Sequence, residues 1–205
     1  MIRFLGEAIR SYRQTGAIAP SSRRLANSMT QRLACHESPR RILEVGSGTG
    51  AFTRRILAGM EDGDRLDAVE INEQFADKIE LDLLGPYRQE HPRREVKVHC
   101  CPIEEAQLSG PYHMVVCGLP FNNFPLDLVQ RIFAIMIDSM APGGWLTYFE
   151  YLGMRPLKSP FIGRRGRSKL RAHGMYLKQL EQDHKGTRKL ILPNLPPAWS
   201  VALQA

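Results

Sequence analysis

A short strand followed by three alternating glycines is the feature that most constrains how this chain can fold. Residues 42–45 (Ile-Leu-Glu-Val) have the composition of a buried strand, and Gly46, Gly48 and Gly50 follow before a helical pattern begins at Ala51. A strand that turns through glycines into a helix N-terminus brings bare backbone N–H groups close to a ligand. The spacing is G-x-G-x-G, which differs from the G-x-G-x-x-G of dinucleotide sites. We therefore predict a ligand site at this turn.

Two acidic residues restrict what the turn can bind. Glu44 stands at the end of the first strand, where a carboxylate suits a cationic or hydroxyl-bearing ligand better than a pyrophosphate. Glu70 ends a second strand-like run, and an acid at that place can accept hydrogen bonds from both hydroxyls of a ribose. The pair predicts a site for S-adenosylmethionine. The residues expected to form it are Glu44, Gly46, Ser47, Gly48, Thr49, Gly50, Glu70 and Ile71.

The order of apolar runs predicts the fold class. Helical and strand-like runs alternate, which is typical of a mostly parallel sheet with helices on both faces. The predicted elements are helix 51–59, strand 65–70, helix 72–84, strand 95–99, strand 112–117, helix 126–140 and strand 144–151. Farther on, residues 155–171 have the composition of a basic, glycine-containing loop, residues 168–184 have a helical pattern, and residues 190–192 and 199–203 suit a closing hairpin.

Charge is distributed unevenly along the chain. Residues 1–41 contain eight Lys/Arg and two acids, residues 42–150 contain nine against seventeen, and residues 151–205 contain eleven against two. Two basic ends around an acidic body indicate an anionic partner surface, either a membrane or a nucleic acid. We find neither a signal peptide nor a bilayer-spanning run. The four cysteines have no metal-ligand spacing, so we expect no metal and a cytoplasmic protein with reduced thiols.

Residues 2–13 have the pattern of an amphipathic helix. Its apolar side would carry Ile2, Leu5, Ala8, Ile9 and Tyr12, and its polar side Arg3, Arg10 and Arg13. Such a helix can lie in a membrane interface. It can equally dock on its own domain.

The fourth strand ends in Gly118-Leu-Pro-Phe-Asn-Asn-Phe-Pro, which completes a resemblance to a known family. The glycine turn, the two acids and Ala141-Pro-Gly-Gly-Trp-Leu-Thr together resemble the class I S-adenosylmethionine-dependent methyltransferases. More narrowly, the chain resembles the bacterial phospholipid N-methyltransferases, which convert phosphatidylethanolamine to phosphatidylcholine. The pieces that carry this resemblance are Gly16-Ala-Ile-Ala-Pro-Ser-Ser-Arg, the glycine turn, Gly118-Leu-Pro-Phe and Asn194-Leu-Pro-Pro-Ala.

The resemblance implies a Rossmann-like domain with a seven-stranded, mostly parallel sheet over residues 36–205, preceded by amphipathic and lid helices over residues 1–35. It implies that Ser21 closes over the cofactor. It also implies a monomer, associated peripherally with the inner face of the cytoplasmic membrane, that methylates an aminophospholipid amine. The other substrates to weigh are another aminolipid, such as ornithine lipid, and an rRNA adenine. Related enzymes of adenine N6 carry Asn where this chain has Gly118, which argues against RNA.

The remaining site residues follow from the same resemblance. The catalytic set would be Gly118, Leu119, Pro120, Phe121 and Tyr151, with backbone carbonyls orienting the attacking amine and aromatic rings holding the cationic head group. Gly118 would also contact the cofactor. The substrate or membrane set would be Tyr12, Asn122, Tyr148, Arg155, Arg164 and Arg165. The Gly-Asp-Ala usual after the third strand is Cys100-Cys-Pro here, so adenine contacts would come from Pro102 and Ile103, or from Glu104.

Overall fold

The computed structural model describes residues 21–121, 124–152 and 164–205, with residues 164–170 described by their backbone alone. The predicted helix over residues 2–13 and the candidate residues Tyr12, Asn122 and Arg155 lie outside the described residues. The division of the chain at residue 35 therefore stays a prediction.

Seven strands of the described chain form one sheet in the order β3-β2-β1-β4-β5-β7-β6. β1 pairs in parallel with β2 and β4, while β7 runs antiparallel between β5 and β6. The strands are β1 (Arg41–Val45), β2 (Arg65–Val69), β3 (Glu95–His99), β4 (Tyr112–Cys117), β5 (Met140–Tyr151), β6 (Thr187–Ile191) and β7 (Ala198–Gln204). This arrangement confirms the prediction of a seven-stranded, mostly parallel sheet. We call the edge at which the parallel strands end the carboxyl edge.

Helices pack on both faces of the sheet. They are α1 (Arg23–Thr30), α2 (Ala51–Gly59), α3 (Glu73–Ile79), α4 (Gly85–Glu90), α5 (Leu126–Asp138) and α6 (Arg164–Asp183). On one face, Leu25 of α1 and Ile56 of α2 are fully buried against the strands. On the other face, Phe133 of α5 and Leu177 of α6 fill a second core cluster. The sheet thus separates two apolar cores.

Three sequence predictions differ from the structure. The loop predicted over residues 155–171 is wrong from Arg164 onward, because α6 begins there. Leu177 and Leu180 of α6 are buried in the core beside α5, and this burial outweighs the poor helix propensity of the glycines. The helix predicted over residues 72–84 consists of α3 and a π-helical turn over residues 80–84, and this turn continues into α4. β5 begins at Met140 rather than at residue 144.

The start of α1 is joined to the last hairpin of the chain. Ser22 caps α1 by accepting a hydrogen bond from the Leu25 N–H at 3.2 Å. The backbone N–H of Ser22 donates to Oδ1 of Asn194 at 2.9 Å, and Asn194 Nδ2 donates to the carbonyl of Pro196 at 2.7 Å. On the opposite side of the same loop, Leu152 N–H donates to the carbonyl of Pro197 at 2.6 Å. These contacts hold residues 192–197 at the carboxyl edge.

The described residues lack two features that would indicate other kinds of protein. Among these residues, no helix combines the length and apolar character needed to cross a bilayer. Over the same part of the chain, no three His, Cys, Asp or Glu side chains converge as a metal site would require.

Candidate functional site

The glycine turn adopts backbone angles that require glycine. Gly46, Gly48 and Gly50 have φ values of +76°, +55° and +80°, a region that other residues enter only at a cost. The turn is anchored to the neighbouring strand, since Gly46 N–H donates to the carbonyl of Val69 at 2.8 Å. α2 begins directly after Gly50. The turn therefore places a helix N-terminus at the carboxyl edge.

Glu44 is a buried carboxyl group beneath the turn. It has no exposed surface, and its Oε2 accepts a hydrogen bond from Thr53 Oγ1 at 2.8 Å. Oε1 has no hydrogen-bond partner within the described chain. Burial raises the pKa of Glu44 from 4.5 to about 7, and the Thr53 hydroxyl offsets part of that rise. The group is therefore poised between its neutral and ionised forms near neutral pH, and a cation beside it would favour the ionised form.

Glu70 closes the turn from the neighbouring strand. Its Oε2 accepts from Gly48 N–H at 2.7 Å and its Oε1 from Asn72 N–H at 2.8 Å. Burial raises the pKa of this carboxyl, and the two backbone donors oppose the rise. A carboxylate has about four acceptor sites, so Glu70 retains lone pairs for a ligand.

A small cavity joins the residues that were predicted separately. It is lined by Val45, Gly46, Val69, Glu70, Ile71, Cys101, Pro102, Ile103, Leu119 and Ile132. Gly46, Glu70, Ile71, Pro102, Ile103 and Leu119 belong to the predicted site, whereas Glu104 is exposed and does not line the cavity. The sequence analysis did not predict Ile132, which α5 brings to the cavity from the core cluster that also contains Val45, Val69 and Ile103. Its only signal was a place in the apolar run of that helix.

The turn after β4 packs directly on the glycine turn. Gly118 N–H donates to the carbonyl of Val45 at 2.8 Å, and a Cβ at position 118 would lie 2.4 Å from the carbonyl oxygen of Gly46. A Cβ at position 46 would in turn lie 2.4 Å from Cδ2 of Leu119. The two turns interlock, and only glycine fits at position 118. An Asn at this position, which N6-adenine methyltransferases carry, would collide with the backbone carbonyl of Gly46.

The predicted aromatic residues lie mostly inside the protein. Phe121 is 2% exposed and packs on Phe133 with ring centroids 4.7 Å apart. Tyr148 has no exposed surface, and its hydroxyl lies 3.4 Å from Oε1 of Glu181, so in this structure its ring offers no face to a ligand or a lipid. Tyr151 is 7% exposed and packs edge-on against Phe149 on the other face of the sheet.

The other predicted residues are placed as follows. Ser21 is half-buried just before α1, Ser47 is buried within the glycine turn and Thr49 is exposed. Arg164 and Arg165 open α6, where only the backbone is described. The structure brings Gly46, Glu70, Ile71, Pro102 and Ile103 of the predicted cofactor set together in one cavity. The Tyr148 ring is buried against Phe121 and Phe133, and Tyr151 belongs to the core cluster on the other face of the sheet, so neither lines this cavity.

Solved structures of methyltransferases share this architecture. An O-methyltransferase from Bacillus cereus, crystallised with S-adenosylhomocysteine, superposes with a TM-score of 0.64 over 99% of this chain and 91% of its own, at 16% identity. The O-methyltransferase TomG from Streptomyces achromogenes, crystallised with S-adenosylmethionine, gives a TM-score of 0.62 over 98% of this chain and 89% of its own, also at 16% identity. The chain has the class I methyltransferase fold. At these identities the likeness establishes the fold and leaves the reaction open.

Sequence comparison adds one curated relative. The ornithine lipid N-methyltransferase of Singulisphaera acidiphila is 27% identical over 150 residues, which cover 69% of this chain and 72% of that protein. No model of a known protein family matches the chain.

Proposed function

We propose that this chain is an S-adenosylmethionine-dependent N-methyltransferase that acts on the amine of a lipid head group at a membrane surface. An ornithine lipid is the first candidate substrate, because the curated relative carries that name. Phosphatidylethanolamine, which the sequence resemblance favoured, is the second. The observation that carries the proposal is the close contact between Gly118 and Gly46. Because of this contact, the side of the cavity that would face the acceptor amine is formed by backbone and apolar groups.

Each part of S-adenosylmethionine, the methyl donor, has residues at the site that suit it. Glu70 would accept hydrogen bonds from the ribose hydroxyls, and the backbone of Gly46–Gly50 would lie against the donor. Glu44 would be stabilised in its charged form by the donor's ammonium group. Pro102 and Ile103 would contact the adenine. The bound donor supplies a methyl group on a sulfonium sulfur, and class I structures that contain S-adenosylmethionine or S-adenosylhomocysteine support this assignment.

The acceptor chemistry needs little from ionisable side chains. A neutral amine attacks in line, a C–N bond forms as the S–CH₃ bond breaks, and the product amine releases its proton to water. The protein must hold the amine at near-attack distance and keep the site dry. The carbonyl of Gly118 would accept a hydrogen bond from the amine, and Leu119 would exclude water. This role for the backbone does not require the Asn that N6-adenine enzymes use.

Purified protein, radiolabelled S-adenosylmethionine and liposomes test the proposal directly. We expect labelled lipid from liposomes that contain ornithine lipid or phosphatidylethanolamine, with the product identified by mass spectrometry. Ribosomal RNA in a parallel reaction should remain unlabelled. Labelling of RNA alone, or of neither lipid, would refute the proposal.

Replacing Glu70 by Gln should weaken donor binding about tenfold to a hundredfold. The amide cannot accept from both Gly48 and Asn72, so the turn loses a charge-assisted hydrogen bond and the ribose loses its acceptor. Isothermal titration calorimetry with S-adenosylmethionine measures the loss. Glu104→Gln is the matched control, because this exposed carboxylate lies next to Ile103 but not in the cavity, and its affinity should equal that of the wild type. Equal losses in both variants would contradict the assigned roles.

A further inference from the structure

Exposed leucines cluster at the carboxyl edge of the sheet. Among the described residues the large apolar side chains with the greatest exposure are Leu81, Leu152, Met175, Leu190, Leu192 and Leu195. Leu192 is 64% exposed and Leu195 is 77% exposed, and both lie in the loop between β6 and β7. Leu152, at 41%, follows the end of β5 and is hydrogen-bonded to the same loop. We call Leu152, Leu192 and Leu195 the leucine rim.

The loop presents these leucines rigidly. The Asn194 side chain ties the loop to Ser22 and to the carbonyl of Pro196, and the Leu152 N–H ties it to Pro197. A segment already held in one conformation loses little conformational entropy when its side chains enter an apolar phase. The leucine rim can therefore enter an apolar phase without a change in the conformation of its loop.

Unpaired positive charge lies beside the rim. Arg23 and Arg24 occupy the first turn of α1, directly after Ser22, and both are exposed. In the described part of the chain neither forms an ion pair, and that first turn contains no acid. Cations at a helix N-terminus are unfavourable, because the partial charge of the helix dipole there is also positive. An external anionic group beside Arg23 and Arg24 would offset this unfavourable electrostatic interaction.

We propose that the leucine rim, with Arg23 and Arg24 beside it, docks on the surface of an anionic lipid bilayer. The proposal rests on the proposed function, which places the acceptor amine in such a surface. A stable protein interface buries about 1,200 Å² or more, and three leucines supply far less. A lipid surface sets no such minimum, because each side chain is stabilised by its own burial and each cation by lipid phosphates. Docking through this edge would turn the donor cavity toward the head groups.

The double variant Leu192→Ser/Leu195→Ser tests the apolar half of the rim. Vesicles of phosphatidylethanolamine and phosphatidylglycerol are sedimented with each protein, without donor. We expect at least a tenfold weaker association of the double variant. Leu81→Ser is the matched control, because Leu81 is 74% exposed but lies on the π-helical turn between β2 and β3, and its association should equal that of the wild type. Thermal unfolding of all three proteins verifies that each is folded.

The double variant Arg23→Gln/Arg24→Gln tests the contribution of the two arginines to vesicle association. On phosphatidylglycerol-containing vesicles its association should fall about fivefold per arginine, and on vesicles of phosphatidylethanolamine and phosphatidylcholine it should match the wild type. Unchanged association of the leucine variant, an equal loss in Leu81→Ser, or a wild-type protein that ignores vesicles would overturn the proposal. So would a wild-type oligomer that the leucine substitutions convert to a monomer while vesicle association stays the same.

Methylation assays separate this proposal from the proposed function. Turnover of a detergent-dispersed, short-chain aminolipid should be the same in the leucine variant and in the wild type, whereas turnover of the vesicle-embedded lipid should fall. If vesicles bind through the rim but no lipid is methylated, the proposed function fails and the docking surface stands. If lipid is methylated and the rim variant binds vesicles normally, only the docking surface fails.

Discussion

Replacing Gly118 by Ala should lower the rate of methyl transfer by about a hundredfold or more. The new Cβ would lie 2.4 Å from the carbonyl oxygen of Gly46, and because this neighbour is backbone it cannot rotate away. The two turns must separate, which displaces the acceptor side of the cavity relative to the donor side. A displacement near 1 Å at a reacting centre costs about two orders of magnitude in rate. Initial rates with labelled S-adenosylmethionine and aminolipid measure this effect.

Gly59→Ala is the matched control for that substitution. Gly59 is the last residue of α2, and a Cβ there would lie 3.2 Å from Cδ2 of Leu33, the tip of a flexible side chain. The rate of this variant should equal that of the wild type. A Gly118→Ala protein with normal turnover would show that the contact between the two turns does not set the geometry of the reaction.

Replacing Glu44 by Gln should remove a pH dependence from both folding and donor binding. The folded protein holds a proton on Glu44 up to about pH 7, whereas the unfolded chain releases it near 4.5. The folded state thus binds more protons between these values, so the wild type loses stability as pH rises from 4.5 to 7 and the loss is complete above 7. The size of this loss is on the order of 3 kcal/mol. Gln has no proton to lose, so the variant should gain that amount relative to the wild type between pH 4.5 and pH 8.

Donor binding should show the opposite trend in the wild type. A cation beside Glu44 is favoured by the ionised carboxylate, so wild-type affinity for S-adenosylmethionine should rise up to about pH 7 and then level off, while the Gln variant should bind weakly at every pH. Urea unfolding and calorimetry at pH 5 and pH 8 check both trends. Parallel pH profiles in the two proteins would mean that Glu44 is not the titrating group.

The parts of the site that sequence reasoning anticipated are those set by local chemistry. Gly46 and Gly50 were predictable because their backbone angles require glycine, and Glu70 because a buried strand ends at it. Each of these sequence patterns lies within a few residues of the group whose position it predicts.

The parts that sequence reasoning missed depend on contacts between distant segments. Gly118 was recognised as a departure from Asn, but the reason for it, the Gly46 carbonyl, appears only when β1 and β4 pair. The packing of α6 depends on burial of Leu177 and Leu180 beside α5, and the exposure of Leu195 depends on how β7 returns beside β5. Ser22 and Asn194, which belong to the first and last pieces of the family resemblance, are 172 residues apart and no local pattern joins them.

The bond between Ser22 and Asn194 has a consequence for synthesis of the protein on the ribosome. The strands that carry the glycine turn and Gly118 emerge early, but β7 must still enter beside β5 before Asn194 can reach the start of α1. Contacts of such long range form late, since loop closure precedes any gain from them. A nascent chain halted before residue 187 would expose the unpaired side of β5, a template for aggregation. Completion of the β6–β7 hairpin thus pairs the exposed side of β5 and also places Leu192 and Leu195 in the leucine rim.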